Sequence, residues 1–178
     1  MSRSQGFQLH YPNLLEREGA LIVRLIDGLR FFVMGGASSH DISSGILELD
    51  DPNFYEKRRR LDRARALYRI NHLSWWKEEL PSEEEYAEGL KNLAAVDNRV
   101  DVVLSHCAPS SIQDILSGGF YQKDALTDYL DQILELCRFR HWFFGHYHEN
   151  RDVGAQFTLL YEMIVPLTDY LPMEDQTE

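Results

Sequence analysis

Residues 142–148 read Trp142-Phe143-Phe144-Gly145-His146-Tyr147-His148, and Glu149-Asn150-Arg151-Asp152, which reads as a polar turn, follows. A short apolar run, a glycine and two imidazoles predict a buried strand that ends in a histidine-bearing loop. Asp101-Val102-Val103-Leu104-Ser105-His106 repeats the plan about 40 residues upstream: an apolar strand that delivers a histidine at its C-terminal end. In open α/β folds ligands gather at the carboxyl ends of the strands. Neutral imidazole is the commonest metal ligand. His106, His146 and His148 are therefore the candidate metal ligands. A single histidine is more often structural. A pair at i, i+2 after a glycine, backed by a third at another strand end, favours ligation. His10, His40, His72 and His141 have weaker contexts, and His141, at a strand start, reads as structural.

The pattern around these strands predicts an α/β sheet. Asp124 to Cys137 is amphipathic, with Leu126, Tyr129, Leu130, Ile133 and Leu134 on one face. Ser110 to Leu116 predicts a short helix stopped by Gly118-Gly119. Pro81-Ser82-Glu83-Glu84-Glu85 is a helix start, with Ser82 as N-cap and Glu85 completing a capping box. Upstream, Ala20–Ile26 and Leu29–Met34 predict a β-hairpin about Asp27-Gly28. That hairpin empties into Gly35-Gly36-Ala37-Ser38-Ser39-His40-Asp41, either a phosphate-approaching turn or a tight turn packed under a neighbouring element. Phe54 to Ile70 predicts one charged helix, and Phe157 to Val165 a closing strand. Of the adjacent Trp75 and Trp76, one is expected to be buried and the other to cover a loop or cleft. Strands alternating with helices after residue 80 indicate a single α/β domain over 20–166. Residues 1–19 are expected to be poorly ordered, and the acidic tail 167–178 frayed.

The 178 residues suffice for one hydrophobic core. No apolar run approaches a membrane span, and no signal peptide is legible, so the expected location is cytoplasmic, with no membrane partner. Cys107 and Cys137 lack framework spacing and read as reduced thiols. Cys107 cannot pair with the neighbouring His106, because adjacent strand residues face opposite ways. The formal net charge of −11 argues against nucleic acid as a partner. Lys57-Arg58-Arg59-Arg60, with Arg63 and Arg65, is the exception: either a solvated helix face paired with nearby acids, or a patch for an anionic substrate or partner.

At Ser105-His106-Cys107-Ala108-Pro109 and Gly145-His146-Tyr147-His148 the chain resembles the calcineurin-like metallophosphoesterase superfamily. The segment from Gly35 to Asp41, the Trp75-Trp76 region and the helix after Ser82 also resemble small members of that family. The resemblance runs from about Ala20 to Val165. It implies a four-layer α/β/β/α sandwich with a mixed sheet, and hydrolysis of phosphomonoesters or phosphodiesters by water activated between two metals. By the family pattern His106 and His146 would hold one ion (Mn, Zn, Fe or Ni) and His148 the other. The family's earlier blocks, Asp-x-His, Gly-Asp-x-x-Asp and Gly-Asn-His-Asp/Glu, do not occur in residues 1–41.

The resemblance therefore covers the C-terminal half of the family pattern, and the bridging carboxylate is missing. Three imidazoles alone are expected to hold one divalent ion or none. Three readings follow. The first is a truncated phosphoesterase acting on a small phosphorylated substrate or a phosphopeptide. The second is an inactive binding or assembly module with one Zn²⁺ on His106, His146 and His148, self-associating through an exposed sheet edge. The third is a redeployed enzyme with new carboxylates, for instance Asp41, Asp114 or Glu149. No catalytic or substrate-contacting residue is assigned by the sequence; Trp75-Trp76 and Arg58 to Arg65 are the candidates for substrate contact.

Overall fold

A computed structural model describes residues 22–39 and 41–171. The strands are β1 (Ile22–Ile26), β2 (Leu29–Met34), β3 (Ile46–Leu47), β4 (Arg69–Ile70), β5 (Val102–Ser105), β6 (His141–Phe144), β7 (Arg151–Val153) and β8 (Phe157–Leu159). The helices are α1 (Phe54–Ala64), α2 (Glu83–Ala94), α3 (Ser110–Ser117) and α4 (Ala125–Leu136). Six strands form one sheet in the order β1-β2-β5-β6-β8-β7, and β3 and β4 form a separate pair. The inner strands β2, β5, β6 and β8 are mutually parallel, and the outer strands β1 and β7 are antiparallel to their neighbours. The α/β class expected from the sequence is thus present, with a mixed sheet.

The β1–β2 hairpin turns at Asp27 (φ 49°) and Gly28 (φ 82°). Two consecutive positive φ values make the turn whose twist suits a hairpin. Side chains alternate across the sheet. Phe32, Val103, Trp142, Phe144 and Leu159 face one side, where Leu93 of α2, Ile112 of α3, and Leu126, Leu130 and Ile133 of α4 cover them. Phe31, Val102 and Phe143 face the other side. Among the described residues that second face is covered by the segment after β8, through Leu160, Val165, Leu167, Tyr170 and Leu171. The starts of α2 and α4 are closed by reciprocal caps: Ser82 with Glu85, and Asp124 with Thr127.

Five expectations need correction. The helix from Phe54 stops at Ala64, where Arg65 takes a left-handed conformation (φ 49°, ψ 38°), so it does not reach Ile70. Arg69 and Ile70 instead pair with Ile46 and Leu47, and Leu47, Ile70 and Phe54 bury one another in a small satellite core. Burial overrode helix propensity there. The closing strand ends at Leu159, because the chain then crosses the second face of the sheet. For the same reason the tail is packed as far as Leu171, which is 6% exposed. The polar run after His148 enters a strand, β7, which pairs with β8 across Gly154 (φ 66°). Neither tryptophan of the pair is buried: Trp75 is half-buried and donates from Nε1 to Glu79 Oε1 (2.9 Å), and Trp76 is exposed. The expected disorder of residues 1–19 lies outside the described residues. No helix among the described residues is long and apolar enough to cross a membrane.

Candidate metal centre

Register sets the site. Met34, Ser105, Phe144 and Leu159 stand level at the carboxyl ends of the four parallel strands. The ladder continues one residue further. The His106 amide donates to the Met34 carbonyl (3.1 Å), the Gly145 amide to the His106 carbonyl (3.1 Å), and the Leu160 amide to the Phe144 carbonyl (2.8 Å). His106 and Gly145 are therefore neighbours by backbone pairing, and the histidine loop rises beside His106.

That loop is strained. The Tyr147 amide donates to the Gly145 carbonyl at 2.9 Å, closing a three-residue turn centred on His146. His146 has φ 74° and His148 φ 52°. A γ-turn with positive φ at a non-glycine centre is rare, and such conformations cost on the order of 1–3 kcal/mol each. Tyr147 holds the strain in place. Its hydroxyl accepts from Gln113 Nε2 (2.6 Å) and from the Ala108 amide (3.4 Å). Its ring stacks on Tyr121 with centroids 5.1 Å apart. This one side chain ties the loop after β6 to the loop after β5 and to α3.

The result is a close imidazole pair. His146 Nδ1 lies 3.3 Å from His106 Nε2, with ring centroids 5.1 Å apart and planes at 68°. Two nitrogens on one tetrahedral Zn²⁺ stand about 3.3–3.4 Å apart, from a Zn–N length of about 2.0–2.1 Å. The separation also suits a hydrogen bond between one protonated and one bare ring nitrogen. With both facing nitrogens bare, two imidazoles suit a borderline cation. Packing around His106 desolvates its charged form, and the nearby His148 adds like charge, so its pKa is held below the ordinary histidine value. The shift favours the neutral ring, the form that binds metal. The His148 ring lies against Tyr161, centroids 4.8 Å apart. Among the described residues no three His, Cys, Asp or Glu side chains are arranged around one point to hold an ion.

The other candidates take structural roles. His141 is buried, with Nε2 2.9 Å from Thr158 Oγ1. Cys107 is buried beneath the site, and burial, reinforced by the charge of Asp124, pushes its thiol up to about 12. Asp41 is held by two hydrogen bonds from Arg69. Asp114 pairs with Lys123 at 2.7 Å, and Glu149 lies 3.9 Å from Arg151. Gly36 serves packing: a Cβ there would stand 2.9 Å from the Glu79 carbonyl and 2.9 Å from Pro81 Cδ. His10 and His40 lie outside the described residues. The sequence did not single out Tyr147, Tyr161 or Gln113. Gln113 fills no apolar pattern in α3, yet it is 2% exposed. Comparison with protein-family models, curated proteins and solved structures finds no match.

Proposed function

We propose that this chain carries the histidine half of a two-metal phosphoesterase centre of the calcineurin-like kind, hydrolysing phosphomonoesters or phosphodiesters once the carboxylate ligands are supplied. The observation that carries the reading is the 3.3 Å approach of His146 Nδ1 to His106 Nε2 on a strained turn at the carboxyl edge of the sheet. The partition supports it too. The family pattern assigns His106 and His146 to one ion and His148 to the other, and here the first two rings meet while the third packs on Tyr161.

When bound, the divalent ions supply a nucleophilic water of lowered pKa and offset charge on the phosphoryl oxygens. The chain's own contribution is to hold neutral imidazoles in place. The γ-turn aims His146, backbone pairing fixes His106 beside it, and Tyr147 keeps both loops from drifting. With Asp41 engaged by Arg69 and Asp114 by Lys123, the described residues favour a second reading for the isolated chain. In that reading it is a binding or assembly module with one ion, associating through the outer strand β1.

The test is to equilibrate the purified chain with Mn²⁺ or Zn²⁺, count bound metal, and assay a nitrophenyl phosphomonoester and phosphodiester. Two ions and turnover that vanishes in His146→Ala establish the phosphoesterase. One ion and no turnover show that the chain alone does not complete the centre and acts by itself as the binding module. No bound metal removes both.

A further inference from the structure

Helix α1 is the cationic exception on an acidic surface. Residues 53–65 carry six Lys or Arg against two carboxylates, in a chain of net charge −11. Only part of this run is paired. Lys57 contacts Asp51 and Arg58 contacts Asp62, whereas Arg59, Arg60 and Arg63 reach no carboxylate among the described residues. All three are exposed. They line an open groove of about 850 Å³ along the helix, together with Asn53, Tyr55 and Glu56. Tyr55, Arg59 and Arg63 recur every four residues and form one row. Tyr55 is 74% exposed, and its ring is buttressed edge-on by the buried Phe54 at 5.3 Å.

We infer that this face binds single-stranded nucleic acid, with Arg59, Arg60 and Arg63 on phosphates and Tyr55 as a stacking platform for one base. Two features favour this over an acidic polypeptide. The unpaired cations are all guanidinium groups, whose planar fork matches phosphate oxygens and stacks on bases. An exposed, supported aromatic ring stands in the same row, which a carboxylate-rich peptide does not need and a base does. A duplex would hide the base faces that Tyr55 could use. The acidic remainder of the chain repels phosphates, so the footprint is confined to a few nucleotides at α1. Among the described residues Glu56 is the one acid in the groove, and it opposes binding. This inference does not rest on the phosphoesterase reading, because it concerns binding at a separate element.

The experiment is fluorescence anisotropy of a labelled ten-nucleotide oligo(dT), titrated with the full chain without added metal at 20–200 mM salt. Neutralising three phosphates predicts a slope of log K against log salt of about −2, at about 0.7 per contact on a single strand. Arg59→Ala or Arg63→Ala should weaken binding and flatten that slope by about 0.7. Tyr55→Ala should weaken binding roughly 5- to 150-fold without altering the slope. Glu56→Gln should tighten it. All four positions are exposed, so unchanged circular dichroism separates these effects from misfolding. Absence of saturable binding at low salt would overturn the inference, as would Arg59→Ala binding like the parent. Equal displacement by polyglutamate, with Tyr55→Ala neutral, would assign the face to an acidic polypeptide instead.

Discussion

The turn at His146 offers a test in which stability and ligation move in opposite directions. The residue has φ 74°, in a γ-turn closed by the Tyr147 amide on the Gly145 carbonyl. At an ordinary helix or strand position glycine is less stable than alanine by roughly 0.5–1 kcal/mol. In a left-handed conformation the order reverses, because a Cβ costs roughly 1–2 kcal/mol that glycine escapes. His146→Gly and His146→Ala both delete the ring and its contacts with His106 and Tyr147, so their difference isolates the backbone. His146→Gly should be the more stable by about 1 kcal/mol, the left-handed penalty less glycine's extra chain entropy. For a chain of this size that is a difference in Tm of about 2–4 °C. Urea unfolding followed by tryptophan fluorescence reads it, since Trp142 is wholly buried in the core. Both variants should lose metal affinity alike. If His146→Ala equals or exceeds His146→Gly in stability, the strained turn is not the conformation in solution, and the argument for a pre-aimed ligand fails.

The packing and protonation of the surrounding structure give three more expectations. Gly36→Ala should destabilise by about 2–4 kcal/mol in chemical denaturation, since a Cβ meets the Glu79 carbonyl and Pro81 Cδ at 2.9 Å and φ is 97°; a loss under 0.5 kcal/mol would contradict that close approach. Tyr147→Phe should cost about 1–3 kcal/mol and weaken metal binding, because Gln113, one amide atom of which already has no partner, loses its hydroxyl contact. His141 is buried and its pKa is pushed down by desolvation, against the opposing pull of Asp152. The unfolded chain therefore takes up the proton first as pH falls through about 6.5, so stability holds above that pH and drops below it. Replacing His141 with Asn should flatten the loss between pH 7 and 5, and an unchanged slope would place the acid sensitivity elsewhere.

Local chemistry made much of this legible in advance. The hairpin at Asp27-Gly28, the capping box at Ser82 and Glu85, and the apolar face of α4 each depend on near neighbours, and each formed as the pattern indicates. The expectations that failed depended on distant partners. Arg69 and Ile70 left the helix because Ile46 and Leu47, more than 20 residues away, offered a strand pairing and a buried pocket. The chain left β8 after Leu159 to cover Phe31, Val102 and Phe143, a need visible only once the sheet order is known. At the site, two strand ends carrying histidines were readable. The tie between them was not, because Tyr147 reaches Gln113 across a sequence separation of 34. Nor does sequence spacing reveal that Asp41 and Asp114 are engaged by Arg69 and Lys123.

The most direct test of the account is X-ray absorption at the zinc edge on the chain loaded with one equivalent of Zn²⁺, with His106→Ala and His146→Ala alongside. Two imidazole ligands at about 2.0–2.1 Å in the parent, with binding lost in either variant, are the expected result. A first shell without imidazole, or one unchanged in both variants, would show that the paired rings hold each other rather than a metal.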